Sequence, residues 1–133
     1  MTNKSKKILS EISAGELLDK ISILEIKLEK IENKNNLDEI KKEYNMLIKI
    51  QNSSIEFTDK IKNLFKAIKE VNISLWEIED KIRIFEKNKD FGENFIELAR
   101  QVYFKNDKRA KIKFEINKIL KSNIVEIKQY VEY

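Results

Sequence analysis

Apolar residues recur along this chain at spacings of three and four, which is the period of an α-helix rather than of a strand. Leu17, Ile21, Leu24, Leu28 and Ile31 form one such seam, with Glu25 and Glu32 on one flank and Lys20, Lys27 and Lys34 on the other. That arrangement predicts a coiled-coil-like face. Ile23 and Ile26 add apolar surface to the back of the same helix, so it is either covered on two sides or part of an oligomer interface. Leu37, Ile40, Tyr44, Leu47 and Ile48 mark a second helix. Phe57, Ile61, Leu64, Ile68, Val71, Leu75, Ile78, Ile82 and Phe85 mark a third, about 50 Å long if unbroken. Phe95, Leu98 and Val102 open a fourth seam, which resumes at Ile112, Ile116 and Ile119.

Helix starts carry a shared signal. Ser13 stands three residues before Glu16, Asn36 before Glu39, Ser53 before Glu56 and Asp90 before Glu93. In each case the first side chain can accept from an orphan backbone N–H while the glutamate reaches back. These signals predict helices over 14–33, 37–51, 54–87 and 93–121 within a single domain, 1–133. They leave a basic N-terminal segment, 1–12, and a C-terminal tail, 122–133. The expected fold class is all-α: an antiparallel helical bundle, or a long helix hairpin, of four helices with coiled-coil-like seams. Lys7–Ile12 and Ile124–Tyr133 are rich in β-branched and aromatic residues, so the two termini are candidates for a short β ribbon.

Candidate chemistry lies where the fourth seam is interrupted. Its positions between Val102 and Ile112 are Lys105 and Arg109, with Asn106, Lys113 and Asn117 beside them. The short connection Asn88-Lys89-Asp90-Phe91-Gly92 predicts that helices three and four form an antiparallel hairpin. Folding the chain about Asp90 sets Arg83 against Glu97 and Asp80 against Arg100, brings Glu77 near Tyr103, and places Asn72 or Leu75 opposite Asn106. Arg109 and Lys113 then fall opposite the stretch from Ala67 to Val71. Two readings follow. The cross-helix ion pairs are devices that fix register, as polar residues do at coiled-coil interfaces. Alternatively, Arg83, Arg100, Tyr103, Asn106, Arg109 and Lys113 line a cleft for a phosphate or carboxylate, with Glu77 or Asp80 available as acid or base. The chain's only three arginines, Arg83, Arg100 and Arg109, all lie near this hairpin, and a guanidinium grips an anion with two hydrogen bonds where lysine cannot.

Composition narrows the chemistry further. There is no proline and there are only two glycines, Gly15 and Gly92, which disfavours turn-rich β folds. Histidine and cysteine are absent. Their absence excludes Ser-His-Asp and Cys-His catalysis, thiol chemistry and Cys/His zinc sites. No metal or cofactor is expected. Glu29/Glu32 and Glu77/Asp80 superficially resemble the paired acidic motifs of all-α nucleotide pyrophosphohydrolases, but the two pairs stand too far apart in sequence. The net charge of +4 is concentrated in a short N-terminal run (Lys4, Lys6, Lys7) and in residues 100–121. The latter run has no recognition-helix signature and its charges surround the helix, which argues against nucleic acid as a partner. No stretch is apolar enough to span a membrane, there is no secretory h-region, and the lack of cysteine agrees with a cytoplasmic location.

Three ordered blocks carry a resemblance. They are Ser13-Ala14-Gly15-Glu16-Leu17-Leu18-Asp19-Lys20 continuing through Ile23-Leu24-Glu25-Ile26-Lys27, then Leu75-Trp76-Glu77-Ile78-Glu79-Asp80 with Arg83, then Phe95-Ile96-Glu97-Leu98-Ala99-Arg100. The last block runs on through Val102-Tyr103, Asn106-Asp107, Arg109-Ala110, Lys113 and Asn117. Over nearly its whole length the chain resembles a widespread bacterial all-helical family of unknown function. Ala14 departs from the proline expected in the first turn, a change that suits a helix start equally well. The resemblance implies a stand-alone helical protein and supplies no activity.

The reading that these residues support is a non-catalytic interaction or scaffold module that self-associates through the first helix. It leans away from an enzyme and expects a homo-oligomer or a protein partner. The alternative is a small anionic-ligand-binding protein, or an enzyme, that uses the seam of helices three and four. Weak nucleic-acid binding is a third reading.

Overall fold

Cap chemistry decides where each helix begins. A computed structural model describes residues 6–133, and residues 1–5, including Lys4 of the basic segment, lie outside it. It contains α1 (Ala14–Lys30), α2 (Lys34–Ser54), α3 (Asp59–Lys87) and α4 (Glu93–Ile119), with no strand among the described residues. Ser13 caps α1 as expected, its hydroxyl accepting from the Glu16 N–H at 3.1 Å. Helix α4 begins at Glu93 as expected, but the caps of α2, α3 and α4 differ from the spacing signal. Ile31 is extended, so Asn33 rather than Asn36 becomes the cap of α2. That helix runs through Ser53, and Thr58 takes over as the cap of α3 with Asp59 behind it. Asp90 spends its carboxylate on the Gly92 N–H, leaving Gly92 at the cap of α4 without a side-chain bond. A run rich in Asn, Ser, Thr and Asp offers several caps, and the local backbone chooses among them.

Two helix ends close in the same way. Beyond α3, Lys89 takes a positive φ of 55°, with Lys89 N–H on the Glu86 carbonyl and Asp90 N–H on that of Phe85. Beyond α4, Lys121 does the same at 51°, bonding Lys118, while Ser122 bonds Asn117. Both are Schellman closures, built on lysine where glycine is the usual choice.

Helix α1 lies at the centre and touches each of the other three, whereas α2 approaches only α1 among the helices. The core joins Leu17, Leu18 and Ile21 of α1 to Ile61, Ile68 and Val71 of α3 and to Ile112 and Ile116 of α4. Eight of the 17 residues of α1 are buried, while α2 buries none fully and leans Tyr44, Leu47 and Ile48 on the core. Ile26 is buried and Ile23 half-buried, so the second apolar face of α1 is covered within the chain. Helices α3 and α4 form the expected hairpin, and between Ile78 and Ile112 no hairpin residue is fully buried. Its outer half is therefore a two-helix projection.

The terminal ribbon does not form. Residues 123–133 turn back along α4, where Glu126 meets Lys113 and the Tyr133 hydroxyl meets Asp107. This course leads the tail away from Lys7–Ile12. The two segments touch at one described hydrogen bond, from Asn123 Nδ2 to Glu11 Oε2 at 2.6 Å.

Candidate functional site

The polar residues at the base of the hairpin converge on Asp19, a carboxylate of α1 that is only 1 % exposed. Arg109 of α4 donates to it twice, Nε to Oδ1 at 2.9 Å and Nη2 to Oδ2 at 2.5 Å. Asn72 of α3 donates from Nδ2 to Asp19 Oδ1 at 2.9 Å and to Ser22 Oγ at 2.8 Å. The Ser22 hydroxyl in turn donates to the Asp19 carbonyl at 2.7 Å. One carboxylate therefore ties three helices together. Its hydrogen bonds, set against burial and reinforced by charge, hold the Arg109 guanidinium above its ordinary pKa. A carboxylate this deep is tolerable because it is paired and fully hydrogen-bonded.

A second cluster lies one turn along α4. The Lys113 ammonium is buried and donates to Glu16 Oε2 at 2.7 Å and to Glu126 Oε2 at 2.8 Å. Burial alone would depress the Lys113 pKa, but its bonds to Glu126 and Glu16 outweigh that and raise it. The same bond from Lys113 holds Glu126 below the ordinary carboxylate value. Beside this pair the first N–H groups of α1 find distant partners: Gly15 N–H donates to Asn117 Oδ1 at 2.6 Å, and Ala14 N–H to Ser122 Oγ at 3.0 Å. These are orphan donors of a helix start, satisfied from α4 and the turn beyond it. Gly15 is required by that approach, since a Cβ there would lie 2.6 Å from the Lys113 carbonyl oxygen. No buried side-chain polar atom among the described residues lacks a partner.

The residues expected to form one seam divide into separate settings. Asp80, Arg83, Asn106 and Arg109 line a groove of about 400 Å³ between α3 and α4, over Ile23 and Ile26 of α1. Lys113 belongs to the buried cluster just described. Tyr103 is exposed and packs against Phe104 and Tyr133, Arg100 lies over the Phe104 ring, and Glu77 is exposed outside the groove. The expected cross-helix pairs do not form. Arg83 bonds Glu79, and Arg100 bonds Glu97, each within its own helix. At three- and four-residue spacing an intrahelical carboxylate is already within reach, so the long side chains need not cross the gap. Each of the three guanidinium groups thus has a carboxylate of its own chain within reach, Arg109 by two bonds and Arg83 and Arg100 by one exposed bond each.

Ser22 and Glu126 escaped the sequence reading of the site, and Asp19, Asn72 and Asn117, though noticed for their polarity, were not placed in the candidate site itself. The available signal was polarity out of place: Asn72 follows the core residues Ile68 and Val71, and Asp19 interrupts Leu17, Leu18 and Ile21. Among the described residues no group of three or more acidic side chains is placed to hold a metal ion, and no helix is long and apolar enough to cross a membrane.

The C-terminal segment presents a different kind of surface. From Val125 to Tyr133 its residues alternate: Val125, Ile127, Val131 and Tyr133 on one parity, Glu126, Lys128 and Glu132 on the other. Glu126 bonds α4 and Lys128 bonds Glu126, whereas Ile127 and Val131 are 79 % and 92 % exposed. No backbone–backbone hydrogen bond is made by residues 123–133 among the described residues. The segment alternates as a strand does but forms no strand, and its backbone is unpaired.

Neither the curated proteins nor the solved structures contain a match to this chain. The match that exists agrees with the helical blocks and with the all-α fold built from them: the chain belongs to the family of unknown function DUF6165, which covers residues 8–132.

Proposed function

We propose that this protein is a self-associating interaction module, and that its C-terminal segment pairs with the same segment of a second copy. The observation that carries this reading is the segment Val125–Tyr133, which turns Ile127 and Val131 to solvent and makes no backbone–backbone hydrogen bond among the described residues. A segment with unpaired backbone and strand-like alternation can add to another strand. Antiparallel pairing about Tyr130 is self-complementary. It sets Ile127 opposite Tyr133 and Gln129 opposite Val131 on the apolar parity, and Lys128 opposite Glu132 on the other, twice over by symmetry. With Ile26 buried and Ile23 half-buried, less apolar surface of α1 is open than its sequence suggests, which favours the tail over α1 in this reading.

Sedimentation equilibrium over a range of concentrations tests this. Wild type should be a dimer, and Ile127→Asp combined with Val131→Asp should be a monomer with unchanged helical circular dichroism. Both residues are exposed, so the change leaves the core intact. A wild type that stays monomeric at every concentration, or a double variant that stays dimeric, refutes the proposal.

A further inference from the structure

A regular strand sends alternate side chains to opposite faces, so Ile127, Val131 and Tyr133 would share one. The tail keeps that rule only part of the way. Ile127 and Val131 point to solvent, whereas Tyr133 turns back onto α4. Its ring packs against those of Tyr103 and Phe104, with centroids 5.4 and 5.3 Å away, and its hydroxyl donates to Asp107. The other anchor is Glu126, of the opposite parity, held by the buried Lys113 ammonium at 2.8 Å. The two anchors differ in what pairing asks of them. Antiparallel pairing about Tyr130 joins 127–133 to the same residues of a second copy, so Glu126 lies outside the paired stretch and keeps its bond to Lys113. The same pairing sets Tyr133 opposite Ile127 of the second copy, and a ring lying on α4 is not on that face. Glu126 sits on a buried cation that resists losing it. Tyr133 is 77 % exposed and held by one hydrogen bond and two edge-on ring contacts, so it is readily released.

We infer that the tail is latched: Glu126 on Lys113 is its fixed hinge, and Tyr133 on Tyr103, Phe104 and Asp107 is a latch that holds the lone chain closed and opens when a second copy pairs. This inference rests on the tail pairing proposed above and adds its control. The latch guards a segment of unpaired backbone against indiscriminate pairing. It also raises the concentration that self-association requires, because only the open fraction of each chain is competent to pair.

Removing the seat of the latch without touching the tail tests this. Tyr103 is exposed and Asp107 half-buried, so Tyr103→Ala combined with Asp107→Ala in the full chain should keep the helical circular dichroism. Both copies must open, so a latch worth about threefold per chain acts twice, and the double variant should dimerise about tenfold more tightly by sedimentation equilibrium. Tyr103→Ala alone changes no charge and should move in the same direction. Nuclear Overhauser contacts should join the Tyr133 and Phe104 rings in the monomeric Ile127→Asp/Val131→Asp chain and be absent from the wild-type dimer. Dimerisation that is unchanged or weaker in the double variant overturns the latch and leaves tail pairing standing, as does a ring contact missing from the monomer or kept in the dimer. A wild type monomeric at every concentration beside a dimeric double variant supports the latch, although the wild-type dimer is then refuted. Monomers in both remove the pairing and the latch together.

Discussion

The base of the hairpin and its tip both pair an arginine with a carboxylate, and the two pairs have little else in common. At the base Arg109 reaches Asp19 across 90 residues of sequence with two hydrogen bonds, the side chains 28 % and 1 % exposed. At the tip Arg83 reaches Glu79 one turn back, at 3.3 Å, the side chains 79 % and 56 % exposed. Water screens the tip pair and solvates either partner if the other is removed. At the base, removing one partner strands a charge that water cannot reach. The same two residue types therefore form a structural joint in one place and a surface decoration in the other, and depth decides which.

The largest effect should come from breaking the joint. Arg109→Ala leaves Asp19 buried and uncompensated, and should lower the unfolding free energy by about 3–5 kcal/mol, read as a shift in denaturant midpoint. Gly15→Ala comes next. Alanine is the better helix former, but its Cβ would meet the Lys113 carbonyl, so the substitution should destabilise by about 1–3 kcal/mol. A neutral or stabilising result would mean that α1 and α4 are less tightly joined at the base than this.

Smaller still is the share of Glu126, which is partly exposed. Its folded-state pKa lies below the ordinary value because of its bond to Lys113. The folded form thus binds fewer protons, and the stabilisation is fully present above the unfolded carboxylate value and lost as pH falls through the depressed one. Glu126→Gln should flatten the acid limb of stability against pH. Lys113, with its raised pKa, should show the opposite limb: its contribution is complete below the ordinary lysine value and disappears as pH rises through the folded one. The smallest change is expected at the tip, where Arg83→Ala should move stability by less than about 0.5 kcal/mol. If Arg83→Ala and Arg109→Ala were equally costly, depth would not be what separates them.

The contrast also explains what could be read in advance. Four helices were legible because caps and apolar spacing are local, and Ser13 with its seam from Leu17 onward needed no knowledge of the rest of the chain. The choice of Asn33 over Asn36, or of Thr58 over Ser53, turns on one extended residue and was not legible. For the candidate site, the hairpin register pointed to Asp80, Arg83, Asn106 and Arg109, which do share a groove. It placed Asn72 near Asn106 but missed its bond to Asp19, because their meeting depends on where α1 crosses the hairpin, and no spacing within one helix contains that information. Counting arginines could not show which of them pair within the chain, since charge in a sequence says nothing of which charges are already neutralised.

The Gly15–Asn117 bond spans 102 residues and the Ala14–Ser122 bond 108, and this has a meaning in time as well as in space. On a ribosome α1 emerges before α4, and the groups that complete its amino end and neutralise Asp19 are made some 90 to 108 residues later. At ordinary rates of synthesis the delay is on the order of ten seconds. Throughout that interval the central helix has its Ser13 cap but lacks the partners of its Ala14 and Gly15 N–H groups and the counter-ion of Asp19, and the nascent chain cannot assemble its fold from the front.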